Sequence, residues 1–149
     1  MSAKTVRLPR TIAEQMIAHA REGKPEEICG LVAGDASGRP VALFRVPNIA
    51  TNKIITYHMD PHAQLQAFRE MESRGWQLHG IYHSHPATQA YPSETDRGLA
   101  FDPFDNQPLY PDTIYYIISL ADETRPVIRG FLLPAPDTIE EVHIEIEDE

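Results

Sequence analysis

Cysteine is scarce in this sequence, which contains only Cys29. A lone cysteine cannot form a disulfide within the chain, and this usage is typical of a reducing cytoplasm. Long hydrophobic runs are missing as well. No segment approaches the ~20 apolar residues that span a bilayer, and no apolar run follows Met1–Arg7 as it would in a signal peptide. We therefore expect a cytoplasmic protein that does not contact a membrane.

Basic residues are outnumbered, since 13 Lys and Arg against 22 Asp and Glu give a formal net charge of −9. This balance argues against a nucleic-acid backbone as partner, because no basic patch offsets the acidic charge. Internal repeats, low-complexity segments and interdomain linkers are also missing. A chain of 149 residues, 42% of them hydrophobic, is expected to form one domain, residues 1–149, with its own core.

Hydrophobic periodicity and turn residues predict a mixed α/β fold. The predicted helices are Pro9–Arg21, a helix from Asp60-Pro61 to about Gly75, and a short helix from Ser93 to about Ala100. The predicted strands are Lys4–Leu8, Ile28–Gly34, Val41–Val46, Ile54–Met59, Trp76–Tyr82, Thr113–Leu120 and Pro126–Leu133. Thr113–Leu120 is expected at the centre of the sheet, and the alternating tail Val142–Ile146 is expected to be an edge or one-face-exposed strand.

Candidate ligands for a metal ion follow the strand that begins at Trp76. His83 and His85 are spaced i, i+2, so on a strand both imidazoles point to one face. Ser93 and Asp96 are neighbours on one face of the next helix. Two imidazoles and a carboxylate make a three-ligand set suited to zinc, with a fourth position open. The pattern Ser93-x-x-Asp96 is also a helix-capping pattern, and at this point both interpretations remain open.

Over a longer range the sequence resembles the JAMM motif of the MPN+ metalloproteases. Seven residues separate His85 from Ser93, two separate Ser93 from Asp96, and a distant Glu27 precedes Cys29-Gly30. Further matching stretches are Pro25–Gly34, Pro47-Asn48, Met59-Asp60-Pro61 and Gly80–Pro86. The resemblance extends from about Thr11 to Leu133, and the short chain resembles the prokaryotic single-domain branch of the family.

This resemblance implies a role for each matching residue. His83, His85 and Asp96 would hold Zn²⁺, Glu27 would be the general base, and Ser93 would hydrogen-bond the oxygen that becomes negative during hydrolysis. A bound zinc ion makes water acidic enough to lose a proton near pH 7, so these roles agree with zinc chemistry. The implied fold is an MPN/JAB domain, cytidine-deaminase-like, with a curved mixed sheet flanked by helices.

The family also implies a function, namely hydrolysis of the peptide or isopeptide bond after the Gly-Gly tail of a ubiquitin-like or sulfur-carrier protein. The alternative is an MPN scaffold domain that has lost its metal, but such domains lack ligands that this sequence retains. Candidate walls of a substrate groove are Ile54–Met59, through strand addition, and the loop Phe101–Asp112 with exposed Phe101, Phe104 and Tyr110. The sequence leaves the oligomeric state open, a homodimer included.

Two further residues have alternative interpretations. Cys29 is expected to be a small buried residue rather than a nucleophile, because no base lies beside it in sequence. His79 lies four residues before His83 on the same predicted strand. It is expected to be a surface or satisfied core histidine, with a place beside the zinc ligands as the alternative.

Overall fold

The computed structural model describes residues 4–148, which form a mixed α/β fold. The helices are α1 (Arg10–Gly23), α2 (Pro61–Ser73) and α3 (Glu94–Leu99). The strands are β1 (Thr5–Pro9), β2 (Cys29–Gly34), β3 (Pro40–Val46), β4 (Gln77–His85), β5 (Ile114–Ser119), β6 (Val127–Ala135) and β7 (Thr138–Glu147). These elements confirm the mixed α/β class predicted from the sequence.

The seven strands form one sheet in the order β1-β7-β6-β5-β4-β2-β3. Strand β1 is parallel to β7 and β4 is parallel to β5, whereas the other neighbouring strands are antiparallel. The sheet curls until β1 contacts β3, and α1 packs against both of them. The result is the expected curved mixed sheet flanked by helices.

The core lies on both faces of the central strands. Every residue of β5 is buried, and β5 occupies the middle of the sheet as predicted. On one face, α1 contributes apolar side chains at helical spacing, among them Ile12 and Met16. On the other face, Ala67 and Met71 of α2 pack against the sheet. Helix α2 begins as predicted, with Asp60 as N-cap and proline at the first position.

The prediction of a strand at Ile54–Met59 is wrong. Residues 51–55 form bends and turns, and only Met59 makes an isolated bridge, to Asn48. The β-branched run favours a strand locally, but Ile54 and Ile55 are 59% and 68% exposed and face no neighbouring strand. A segment without a strand to pair with cannot realise its β-propensity, so the run becomes an irregular loop.

Strand β7 is not at an edge, because β1 pairs with it in parallel and itself forms the edge of the sheet. The other half of the prediction is confirmed, because the residues of β7 alternate in burial from Val142 (buried) to Glu145 (exposed). The parallel partner, β1, comes from the opposite end of the chain, so the local pattern of the tail could not predict this pairing.

Candidate metal centre

Four buried side chains from three segments converge at the end of β4. Glu27, His83, His85 and Asp96 are each no more than 6% exposed, and one ligand atom from each lies within 4.8 Å of the others. His83 and His85 are the closing residues of β4, so its alternation directs both rings to one face. Antiparallel pairing of β2 with β4 sets Cys29 opposite His83, which brings Glu27 beside the same strand end.

The three predicted ligands form a nearly equilateral triangle of donor atoms. His83 Nε2 lies 3.1 Å from His85 Nε2, and each of these nitrogens lies 3.0 Å from Asp96 Oδ2. Ligands about 2.0–2.1 Å from a shared tetrahedral ion are separated by roughly 3.3 Å. The spacing of these atoms therefore fits a small divalent cation.

The tautomer of His85 gives independent support for a cation at this point. His85 Nδ1 lies 2.8 Å from the backbone oxygen of Gln89, and a carbonyl can only accept, so Nδ1 carries the proton. In the neutral ring Nε2 then presents a lone pair to the Asp96 carboxylate. These two acceptors at 3.0 Å repel each other unless a proton or a metal ion lies between them. A backbone carbonyl that fixes the tautomer is also the usual support of a metal-bound histidine.

Asp96 is positioned by the start of α3. The Ser93 hydroxyl accepts a hydrogen bond from Asp96 N at 3.0 Å, and Asp96 Oδ2 accepts one from Ser93 N at 3.0 Å, which completes a capping box. Burial opposes the ionisation of Asp96, but the Ser93 amide and the His83 and His85 rings, when these are protonated, outweigh it and hold the pKa of the carboxyl far below its usual range. The capping interpretation of this pattern is therefore realised, and it orients the predicted ligand.

Glu27 lies beside this triangle, and its carboxylate has few hydrogen-bond partners. Its Oε1 is buried and has no hydrogen-bond partner within residues 4–148. Burial raises the pKa of Glu27 to about 7, with a smaller lowering effect from His85 and a raising effect from Asp96. A carboxyl that gains and loses a proton near neutral pH is suited to general acid–base chemistry. The neighbouring Glu26 is exposed.

Tyr57, which the motif does not assign, also contacts this cluster, and Ser84 lies next to it in the chain. The Tyr57 ring stacks on the His83 ring with centroids 4.5 Å apart. Ser84, between the two histidines, is fully buried and its Oγ accepts a hydrogen bond from Ile28 N at 2.9 Å. Alternation along β4 directs Ser84 away from the triangle, so its orientation could be predicted from the sequence. The contact between Tyr57 and His83 could not, because it exists only once the loop that carries Tyr57 has folded.

Other candidate groups lie elsewhere or are inert. His79 bonds to the Tyr116 hydroxyl (2.7 Å) on the far face of the sheet, because the pairing with β2 shifts register between Val32 and Ala33, where β4 passes through His79. His79 is half-buried and hydrogen-bonded, which agrees with the expected surface or satisfied core histidine and not with a place beside the zinc ligands. Cys29 is fully buried and burial raises the pKa of its thiol to about 12, as expected for a packing residue.

The loop Phe101–Asp112 differs from the prediction in one respect. Phe104 is 95% exposed, but Phe101 is 5% exposed and packs in the core. Tyr110 is partly buried against Phe68, and its hydroxyl accepts a hydrogen bond from Gln64. Two of the three aromatics thus anchor the loop, and only one remains at the surface.

Among residues 4–148 we find no helix long and apolar enough to cross a membrane.

Comparisons with known proteins match most of the chain. The profile described as prokaryotic homologs of the JAB domain matches residues 9–129. The chain is 37% identical over 121 residues to the CysO-cysteine peptidase of Mycobacterium tuberculosis, covering 80% of this chain and 77% of that protein. It is 36% identical over 124 residues to the desampylase of Haloferax volcanii, covering 80% and 84%. The solution structure of DSY2949 from Desulfitobacterium hafniense superposes with a TM-score of 0.82 at 37% identity, covering 97% of this chain and 94% of that one.

Proposed function

The chain belongs to the prokaryotic homologs of the JAB domain, and from this premise we propose that it is a zinc-dependent peptidase of protein conjugates. It hydrolyses the peptide or isopeptide bond that follows the C-terminal Gly-Gly of a ubiquitin-like or sulfur-carrier protein. The whole of residues 1–149 forms one domain and acts in the cytoplasm, where the single, buried Cys29 stays reduced.

The observation that carries the proposal is the triangle of His83 Nε2, His85 Nε2 and Asp96 Oδ2 with Glu27 beside it. Two neutral nitrogens and one carboxylate oxygen are a zinc set with an open position. Bound there, zinc supplies an acidified water and a Lewis acid for the scissile carbonyl. Glu27 takes the proton from the attacking water and returns it to the leaving amine.

Ser93 completes the proposed chemistry. Its hydroxyl oxygen accepts from Asp96 N, which leaves its own O–H to donate. Directed at the carbonyl oxygen, this donor stabilises the negative charge that develops in the transition state. The same side chain therefore caps α3 and serves the reaction.

The substrate class comes from the relatives and from the surface beside the metal centre. The relatives are named CysO-cysteine peptidase and desampylase, and protein conjugates are the class we take from these names. A cavity of about 260 Å³ begins at Tyr57, whose ring stacks on His83. Its apolar lining comes from Tyr57, Met59, Leu99, Leu109, Tyr110 and Tyr115. We place one wall of the substrate groove along this lining, with residues 54–59 as a loop rather than a ready-made strand.

Phe104 gives the groove a candidate contact with the body of a protein substrate. Its side chain is 95% exposed at the tip of a loop anchored by Phe101 and Tyr110. Deletion of Phe104–Pro108, or the milder Phe104→Ser, should impair cleavage of a protein conjugate while zinc content stays unchanged. Full activity in the deletion would refute a substrate role for this loop.

The function is tested by incubating the purified protein with ubiquitin-like fusions ending in Gly-Gly, with and without a chelator, and reading the products by mass spectrometry. We expect cleavage after the second glycine, loss of cleavage with chelator and recovery on adding zinc. A protein that binds no zinc and cleaves none of the fusions would instead support the MPN scaffold alternative.

A further inference from the structure

Asn48 uses every hydrogen-bonding position of its side-chain amide. Nδ2 donates to the backbone oxygens of Glu27 (2.9 Å) and Thr56 (3.1 Å). Oδ1 accepts from the backbone nitrogens of Ala50 (3.0 Å) and His58 (2.9 Å). All four partners are backbone groups of fixed polarity, so the orientation of the amide is determined by its surroundings. Only the amide side chains of Asn and Gln offer two donors and two acceptor positions, and Asn has the shorter stem.

These bonds organise the loop formed by residues 49–58, which has no regular secondary structure. The amide contacts both arms of the loop, through Ala50 on one and through Thr56 and His58 on the other. A backbone bond from Ile49 N to the His58 oxygen (2.8 Å) closes the base of the loop. Asn48 therefore supplies side-chain bonds that join the two arms of the loop.

The same loop contacts the metal centre at two points. The Lys53 oxygen accepts the backbone N–H of Glu27 at 2.7 Å, and the Tyr57 ring stacks on His83. Asn48 itself holds the backbone oxygen of Glu27. Both polar backbone groups of Glu27 are therefore bonded to the loop or to the residue that organises it.

This attachment matters because the Glu27 carboxylate has few hydrogen bonds of its own to fix its position. Its buried Oε1 has no hydrogen-bond partner among residues 4–148, so its position follows from the backbone that carries it. The triangle of His83, His85 and Asp96 is built instead on β4 and α3, and none of the bonds of Asn48 reaches it.

We propose that Asn48 is a positioning residue that sets the place of Glu27 relative to the metal ligands. This inference rests on the proposed role of Glu27 as general base. Loss of the two N–H donors of Asn48 frees the Glu27 carbonyl and loosens the loop, so the carboxylate moves while the three ligands stay. A misplacement on the order of 1 Å costs about 100-fold in rate.

The test is Asn48→Asp, with Asn52→Asp as the matched control. Asn48→Asp keeps the two acceptor bonds but sets a carboxylate oxygen against the Glu27 and Thr56 carbonyls. Asn52→Asp adds the same charge to the same loop and keeps its one recorded side-chain bond, which accepts from Ile54 N. We expect kcat on a Gly-Gly fusion to fall about 10- to 100-fold in Asn48→Asp. Asn52→Asp should stay within about twofold of the wild type, and zinc should remain at one per chain in both.

Amide hydrogen exchange on the metal-free protein gives a readout that does not depend on activity. In Asn48→Asp, exchange should accelerate at Glu27 N and in the loop, while α1 and β5 remain as protected as in the wild type. If the wild type cleaves no fusion, the proposed function fails and this exchange pattern still decides whether Asn48 positions Glu27.

Four results would overturn the proposal. One is an Asn48→Asp variant with the kcat and exchange pattern of the wild type. Another is an equal loss of kcat in Asn52→Asp. If Asn48→Asp does not fold, the smaller change Asn48→Ser is measured in its place. A folded Asn48→Ser variant with full kcat, or failure of both variants to fold, would show that Asn48 does not act through the position of Glu27.

Discussion

Replacing Glu27 with glutamine should stabilise the metal-free protein at alkaline pH while it abolishes turnover. Burial raises the pKa of Glu27 from 4.5 to about 7. Between these values the folded state binds more protons than the unfolded state, so the stability of the wild type decreases as the pH rises through this interval. Glutamine keeps the shape of the side chain and has no charge to bury.

The size of the effect follows from the same pKa values. A difference of roughly 2.5 pKa units corresponds to about 3 kcal/mol of unfolding free energy at pH 8, as an upper bound. For a chain of this length that is roughly 6 to 12 °C in Tm. At pH 4.5, Glu27 is protonated in the folded state and about half protonated in the unfolded state, so the two proteins should differ by no more than about 0.5 kcal/mol.

Urea or thermal unfolding of both proteins in chelator, from pH 4.5 to pH 8, measures this difference. Zinc-loaded samples assayed in parallel should show metal content unchanged in Glu27→Gln and a fall in kcat of about 10²- to 10⁴-fold. Equal stabilities at pH 8 would refute the argument that burial raises the pKa of the Glu27 carboxyl. So would a difference in unfolding free energy that does not narrow towards pH 4.5. Normal turnover in the variant would refute its role as the base.

Three further predictions follow from the same structure. His83→Ala should lose both zinc and turnover, measured by metal analysis and conjugate cleavage, because it removes one corner of the donor triangle; retained stoichiometric zinc would contradict the ligand set. Ser93→Ala should lose about 1 kcal/mol of stability because a helix cap is removed. It should also lose about 100-fold or more in kcat because an oxyanion donor is removed, and Ser93→Thr should restore both. A loss of stability with unchanged kcat would show that Ser93 acts only as a helix cap. Burial lowers the pKa of His79 to about 4, whereas in the unfolded state the pKa of histidine is near 6.5. Between pH 4 and pH 6.5 the unfolded state therefore binds more protons than the folded state. Stability should therefore fall as the pH drops from about 6.5 to 4, and His79→Gln should flatten this dependence in urea titrations; an unchanged slope would contradict it.

Several features of the site were predictable because they depend only on neighbours in the chain. Strand alternation places His83 and His85 on one face and Ser84 on the other. The pattern Ser93-x-x-Asp96 predicts both a helix start and a carboxylate near it, and the structure realises the capping box. The strongly apolar run of β5 predicts its own central place, because a strand buried on both faces has no exposed polar side.

Other features were not predictable because they depend on contacts between distant segments. Local propensity predicts a strand at Ile54–Met59. In the folded protein this segment does not pair as a strand, and Asn48 bonds to it as a loop instead. The pattern around Phe101 predicts a surface aromatic, but the loop turns it into the core. A register shift opposite β2 sends His79 to the far face, and the spacing along β4 contains no sign of it.

The sequence by itself determined which side chains we propose for the chemistry and which local element holds each of them. Periodicity and capping are short-range properties, and they are written in residues a few positions apart. Only the tertiary structure decided that Glu27 is buried beside the ligand triangle with a raised pKa, because burial and charge depend on what packs around a group. It also decided that Asn48 and Tyr57 contact this centre, because pairing of β2 with β4 and closure of the loop at residues 49–58 bring together atoms that no spacing along the chain relates.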